Sequence, residues 1–406
     1  MKKLIYFVSA LILVSAIVGV GYWLSQRNSA GEQIGGGGGL VLPDEMGGGG
    51  ELSEGQTPSG NLSEASSAKT IADVFDFLPI SENEIVYIKT DGKIMRERGG
   101  VLESLNEGVA NNLQDSSISK DGSYVFLRFG DKDNPQSSLF SVKDKTWQPL
   151  SESISTYDWS PAENSLAYLA QGQSGNYLMT RDFSDPKSKP KKILTLHAKD
   201  LWLTWVAKDK ILLTEKTSAY TSGSAWMVSL PGATLEQVFP DQLGFRLEWN
   251  DLIKKGLVWT GNRAQRGGEL LLIGSNQSIL QQFEFMTLPD KCAFNTEMME
   301  VATTTKVAGS NRIATSTVKM VGDTYVFCGV PQDQRSFQIN PIPDAYDQRL
   351  IYTEDNIYKI DVANGSIQPL PQKSPGSIDV KDIKISGKKI FILNRFNNNL
   401  IELPVF

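Results

Sequence analysis

The sequence predicts an all-β protein, a seven-bladed β-propeller preceded by a single N-terminal transmembrane helix and a disordered linker. Three observations predict this arrangement: a strand–turn–strand pattern that occurs seven times after residue 75, short apolar runs in place of helical periodicity, and an uncharged segment followed by glycine-rich sequence near the N-terminus. A repeat of roughly 40 residues is typical of four-stranded propeller blades. Six or eight blades remain alternatives, because the sixth repeat is irregular.

The N-terminal segment 4–24 (LIYFVSALILVSAIVGVGYWL) carries no charged residue. At ~1.5 Å per residue it is about 30 Å long, which matches the hydrocarbon core of a bilayer. Lys2 and Lys3 precede it, so the positive-inside rule puts residues 1–3 in the cytoplasm and the C-terminal domain outside the cell membrane. The competing interpretation is a cleaved signal peptide, for which residues 28–30 (NSA) form a poor cleavage site. We therefore expect an uncleaved single-pass anchor.

Residues 25–69 have the composition of a flexible linker. Glycine runs at 35–39 and 47–50 lie among Ser, Glu and Pro, and such a segment cannot bury enough apolar surface to order itself. A glycine-rich coil of this length has an r.m.s. reach of roughly 35–40 Å. We expect it to tether the membrane helix to the propeller domain at residues 70–406.

Each repeat begins with a bulky apolar residue, followed by a small or polar residue, a short turn and an apolar run. Two further segments follow, as in NIYKIDVANGSIQPL, so one repeat holds about four strands. A β-sandwich is the alternative all-β fold, but it does not require one pattern at a fixed period. Because buried aromatic and apolar side chains usually belong to the core, we expect these bulky residues to pack there; they are Ile80, Ile118, Trp159, Trp205, Trp249, Phe294 and Ile385.

The clearest copy contains Asp158-Trp159-Ser160-Pro161, which resembles the D-W-S-P-D-G signature of the WD-type repeats in periplasmic Tol-type propellers. The resemblance covers about residues 75 to 406, and residues 162–164 (AEN) replace the Asp-Gly turn of that family. It implies a bacterial, extracytoplasmic propeller in which the bulky residue of the first strand packs between blades.

The last repeat lacks a fourth strand, since only IFIL and NNLIELPVF follow its first strand. Propellers commonly close by adding an N-terminal strand to the last blade, which removes an exposed edge. Residues 70–77 (TIADVFDF) are the candidate for this strand, and the alternative is that they begin the first blade.

Two long segments, 297–323 and 329–348, interrupt the sixth repeat. Long loops on a rigid scaffold often carry binding sites, although a decorated surface loop is an equal alternative. Cys292 and Cys328, the only cysteines, bracket the first segment and are predicted to form a disulfide outside the cytoplasm. Two free buried thiols are the alternative, and two ligands are too few for a zinc site.

Composition and motifs argue against several function classes. A net charge of −6 argues against nucleic acid as a partner. The single histidine, His197, has no neighbouring metal or triad motif, and neither a nucleophile elbow nor a Walker lysine occurs. We therefore predict no cofactor, no metal site and no catalytic residue.

Two functional hypotheses remain. The first is a non-catalytic binding or scaffolding module for a protein, peptide or glycan of the cell envelope, attached to the membrane through its N-terminal helix. The second is a cell-surface hydrolase or lyase that uses acidic residues at the propeller channel. Two or more carboxylates close together at the channel mouth would favour the second.

Overall fold

The computed structural model describes residues 68–405 except 109, 174, 199, 263–265, 307–312 and 372–375. Within these ranges, 28 strands form seven four-stranded antiparallel sheets, which confirms the predicted all-β, seven-bladed propeller. Segment 4–24 and nearly all of the linker lie outside the described residues. None of the helices within the described residues has the length and apolar character to cross a bilayer.

Each blade uses consecutive strands, except that the last blade also takes the first strand of the chain. The strands of blades 1 to 3 are β2 (Val74–Ser81), β3 (Glu84–Lys89), β4 (Ile94–Arg98) and β5 (Val101–Ser104); β6 (Leu113–Ile118), β7 (Tyr124–Gly130), β8 (Pro135–Ser141) and β9 (Thr146–Leu150); and β10 (Ile154–Trp159), β11 (Ser165–Gly172), β12 (Gly175–Asp182) and β13 (Lys191–Leu196).

The strands of blades 4 and 5 are β14 (Leu201–Ala207), β15 (Lys210–Glu215), β16 (Ser222–Ser229) and β17 (Thr234–Leu243); and β18 (Arg246–Asn250), β19 (Lys255–Gly261), β20 (Gly268–Gly274) and β21 (Ile279–Gln282). Those of blades 6 and 7 are β22 (Cys292–Lys306), β23 (Ile313–Pro331), β24 (Asp355–Asp361) and β25 (Ile367–Pro369); and β26 (Val380–Ser386), β27 (Lys389–Asn394) and β28 (Leu400–Pro404), completed by β1 (Lys69–Ile71).

The ring closes through β1, which pairs antiparallel with β28 so that Lys69 lies opposite Glu402. The segment predicted as the closing strand therefore divides between two blades, because β1 completes blade 7 and β2 begins blade 1. Asp73 has a φ of 60°, and this left-handed backbone turns the chain between the two strands.

The first strand of each blade lies innermost, around the central channel, since first strands of neighbouring blades contact one another; β2, for example, contacts both β6 and β26. All first strands run in the same direction along the channel. Their starting ends therefore share one face, which we call the upper face, and loops between second and third strands lie there too. Turns between first and second strands lie on the opposite, lower face.

The seven predicted packing residues all contact hydrophobic clusters formed by two neighbouring blades. Trp159 and Trp205 are 1% and 7% exposed, at the contacts of blades 2 with 3 and 3 with 4. Ile80 packs between blades 1 and 2, not between blades 7 and 1, where Phe77 is buried instead. Ile118 is also buried, and the remaining three are half-buried: Trp249, Phe294 and Ile385.

Asp158, which precedes Trp159 in the repeat pattern, also joins two blades. Its Oδ1 accepts a hydrogen bond from the Trp159 backbone N–H, and its Oδ2 accepts one from the Trp205 backbone N–H of blade 4, each at 2.8 Å. Burial raises the pKa of Asp158 in spite of these bonds. Asp158 therefore links blades 3 and 4 through a hydrogen bond to the backbone.

Blade 6 carries both predicted interruptions, on opposite faces. β22 and β23 pair from Cys292 and Cys328 out to Lys306 and Ile313, whereas β24 pairs only with residues 325–331 of β23. The outer part, residues 297–306 and 313–323, is thus a two-stranded ribbon that extends beyond the lower face. A disulfide joins Cys292 to Cys328 at the upper end of this strand pair, within the four-stranded part of the blade, as predicted from the sequence.

The second interruption lies on the upper face, between β23 and β24. It contains two short helices, α1 (Arg335–Ile339) and α2 (Asp344–Asp347). Phe337 and Tyr346 from this loop form a buried cluster with Trp259 of blade 5, so the loop covers part of the upper face next to the channel.

Candidate functional site

The channel opens on the upper face into a cavity of about 1050 Å³, a volume that includes open solvent. The innermost strands of blades 2 to 5 line it, together with the 3₁₀ turn Pro289–Lys291 that precedes blade 6. Three carboxylates reach this cavity from different blades: Asp115, Glu248 and Asp290. Sequence analysis did not single out any of the three.

A bulge in the innermost strand positions Asp115. The register of β6 against β7 shifts between Leu113 and Asp115, and the same shift precedes Asp76 in β2 and Asp382 in β26. A bulge adds one residue and redirects the following side chain. The signal in the sequence is an aspartate two residues after the first apolar residue of three neighbouring first strands, as in VFD, LQD and VKD.

Arg246 connects the cavity to the loop of blade 6. Its side chain is only 3% exposed, and its guanidinium lies 4.1 Å from the centre of the Trp202 ring. One terminal nitrogen donates to Asp347 of α2, and the other donates to the Phe245 carbonyl at 3.3 Å. Nε lies 3.6 Å from a carboxylate oxygen of Asp290. Arg246 thus holds α2 at the mouth of the channel.

Glu248 lies among other acids and forms no hydrogen bond or ion pair with a described residue. Desolvation, followed by repulsion from Asp290, raises its pKa from 4.5 to about 8. Desolvation also raises the pKa of Asp290, and the attraction of Arg246 does not offset it. The Asp290 side chain is 52% exposed, but it faces a channel that protein encloses on all sides. The carboxylate is therefore in contact with water and still less well solvated than on an open surface.

A fully buried ionic network fixes the 3₁₀ turn that carries Asp290. Lys291 is 0% exposed, and its Nζ donates to Thr353 at 2.7 Å, to Asp355 at 2.9 Å and to Asp379 at 3.2 Å. Arg395 donates to the second carboxylate oxygen of Asp379 at 3.1 Å. These contacts join the turn, the loop of blade 6 and blade 7, so they hold the mouth in one arrangement.

Large apolar side chains are exposed on loops of the upper face, and we call this group the apolar rim. Tyr352 and Phe396 stack with their rings 5.3 Å apart while they remain 44% and 46% exposed. The others are Tyr220, Ile339 and Leu350, which are 68%, 62% and 70% exposed. A rim of this kind is typical of a protein interaction site.

The candidate site offers carboxylates, hydroxyls and one guanidinium. The one histidine of the sequence, His197, is exposed beyond the outermost strand of blade 3 and does not line the cavity. Across the described ranges, no group of three or more His, Cys, Asp or Glu side chains is arranged to hold a metal ion. The site can therefore bind donors and cations by charge-assisted hydrogen bonds.

Comparisons with known proteins concern the fold alone. No family model matches the sequence, and no curated protein matches it. Among solved structures, TolB from Acinetobacter baumannii is 13% identical over 50% of this chain and 52% of its own, with a TM-score of 0.36. The tricorn protease is 12% identical over 85% of this chain and 34% of its own, with a TM-score of 0.48.

The C-terminal WD40 domain of Sif2 is 13% identical over 84% of this chain and all of its own, with a TM-score of 0.45. The chain spans about half the length of the TolB chain and about a third of the protease chain. The structural neighbours of this seven-bladed β-propeller therefore include TolB-like, WD40 and protease propellers.

Proposed function

We propose that this chain is a membrane-tethered, extracytoplasmic binding module without catalytic activity, which holds a protein or peptide of the cell envelope at the upper mouth of the channel. Segment 4–24 would anchor it in the cell membrane, and residues 25–69 would form the tether. The disulfide supports an oxidising compartment, because such bonds are rare in the cytosol.

The observation that carries the proposal is the combination of an acidic cavity with an apolar rim. Glu248 has no partner among the described residues, and the apolar rim, which includes Tyr352 and Phe396, is exposed on the same face of the propeller. An apolar rim on the same face as a polar pocket suits a protein or peptide better than a glycan, since it offers contact area without matched hydrogen bonds.

Site-specific photocrosslinking in intact cells tests the proposal. A photoreactive residue at Leu350, which is 70% exposed on the upper face, should crosslink a defined envelope protein. The matched control is Leu252, which is 63% exposed in the turn between β18 and β19 on the lower face. Absence of a crosslinked product from Leu350, or the same product from both positions, would contradict upper-face binding.

A hydrolase or lyase is the second candidate, and one observation favours it. Glu248 is protonated near neutral pH and shares the cavity with Asp115 and Asp290, so a general acid and a general base could coexist there. Turnover of an envelope glycan or peptide library by the wild-type chain, lost in Glu248→Gln, would establish the enzyme in place of the binding module.

A further inference from the structure

We propose that the upper cavity binds the free N-terminus of a peptide, whose α-ammonium meets the carboxylates while its first carbonyl accepts a hydrogen bond from a threonine hydroxyl of the cavity. The inference rests on the proposed function in one respect, namely that the upper mouth is the binding face. It names the chemical group that the mouth recognises.

The first argument is charge. Four carboxyl groups lie in or beside the cavity, Asp115, Glu248, Asp290 and Asp347, and arginine side chains pair with three of them. Arg246 is shared between Asp290 and Asp347, and Arg128 lies 3.4 Å from Asp115. Glu248 is the one of the four without an ion-pair or hydrogen-bond partner among the described residues. A cationic ligand bound beside Glu248 would favour its ionised form, and a compact ammonium with three N–H donors can reach several carboxylates at once.

The second argument is independent of the acids and comes from buried polar groups that line the same cavity. Thr156 and Thr214 are 9% and 6% exposed, and neither hydroxyl forms a hydrogen bond with a described residue. Buried polar groups are normally hydrogen-bonded, so these two hydroxyls call for a ligand that accepts as well as donates.

An N-terminal residue meets both requirements within one short unit. Its ammonium donates three hydrogen bonds, and its carbonyl oxygen lies about 3 Å away as an acceptor. A lysine side chain carries the cation without an adjacent acceptor. A flat guanidinium or a quaternary ammonium would need an aromatic face, but Arg246 already covers Trp202 at 4.1 Å. Capture of a terminal amine is an established mode of peptide recognition.

Ligand-observed saturation-transfer NMR on the full chain in detergent micelles tests the inference directly. The probes are trialanine amide, N-acetyl-trialanine amide and N-acetyl-lysine amide. We expect trialanine amide to bind at least about 30-fold more tightly than its acetylated form, because acetylation removes the charge and two donors. Equal binding of the two trialanine probes overturns the inference, and equal binding of N-acetyl-lysine amide overturns it in favour of a lysine side chain.

Variants locate the site. Glu248→Gln and Thr214→Val should each weaken trialanine amide binding by about tenfold, through loss of a carboxylate and of a hydroxyl partner respectively. Asp131→Asn is the matched control, because Asp131 is an exposed carboxylate in the upper-face loop between β7 and β8, outside the cavity. An effect of Asp131→Asn as large as that of Glu248→Gln would place binding elsewhere and refute the inference.

The outcome also separates this inference from the proposed function. If the protein crosslinked from Leu350 is not displaced by excess trialanine amide, the inference is wrong and the binding function stands. If trialanine amide binds in the cavity and no crosslinked protein is found, the inference stands and the envelope-binding function is wrong.

Discussion

Replacing the buried Lys291 with methionine is the sharpest test of how the mouth is held together. Lys291→Met keeps a side chain of similar length and removes the ammonium that pairs with Asp355 and, together with Arg395, with Asp379; both carboxylates are 0 to 1% exposed. Breaking a buried ion pair from one side costs about 3–5 kcal/mol, because charge remains buried without compensation.

The expected shift in melting temperature follows from the size of the domain. With about 2.1 cal/mol/K of unfolding entropy per residue, a domain of about 340 residues has an unfolding entropy of about 0.7 kcal/mol/K. A loss of 3–5 kcal/mol therefore lowers the melting temperature by about 4–7 °C. Differential scanning calorimetry measures this shift, and Lys208→Met, at a lysine that is 75% exposed, is the control that should not move it.

A second substitution tests the electrostatic reason for the loss. Adding Asp355→Asn to Lys291→Met removes one uncompensated charge and should restore about 1–3 kcal/mol of the stability. A Lys291→Met variant as stable as the wild type, or a double variant less stable than the single one, would refute the reasoning that the buried charges dominate.

Three further predictions concern other parts of the propeller. Converting Cys292 and Cys328 to alanine opens a loop with a sequence separation of 36, and should cost about 4 kcal/mol in urea unfolding; an unchanged midpoint would contradict this. A chain that begins at Asp73 lacks β1 and exposes the edge of β28, so light scattering should detect larger species than for a chain that begins at Ala68; identical masses would argue against edge protection. Because Glu248 has a pKa of about 8 when folded and a usual value of 4.5, its proton is bound more tightly in the fold, so stability should fall as pH rises from about 4.5 to 8. Glu248→Gln should flatten that decline in melting temperature, and the charged groups that face Glu248 and could obscure the effect are Asp158, Asp290, Asp382 and Lys120.

The blades were predictable because neighbouring residues in the sequence specify each pair of strands. An apolar residue, a turn and an apolar run define two strands within about a dozen residues, so Trp159 and Trp205 could be recognised as blade positions from the sequence alone. The disulfide was predictable for a similar reason, since Cys292 and Cys328 occupy facing positions of one hairpin.

The mouth of the channel was not predictable, because its residues come together only when the ring closes. Lys291 bonds to groups 62, 64 and 88 residues away, and nothing in its local sequence marks it as buried. Arg246 likewise meets Asp347 across 101 residues. An aspartate follows the bulge at the same position of three repeats. Because a bulge adds one residue to the strand, these aspartates do not follow the strict period-two alternation by which strand faces are read from a sequence.

The continuous strand β23 gives blade 6 a mechanical property that the other blades lack. It runs from the lower ribbon through the blade to the loop that carries α1 and α2, and the Cys292–Cys328 bond ties it to β22 near its upper end, just before that loop. A load applied to the ribbon would be taken up by this covalent crosslink before it could strain the upper loop. We therefore expect that a partner can pull on the ribbon without displacing the upper loop.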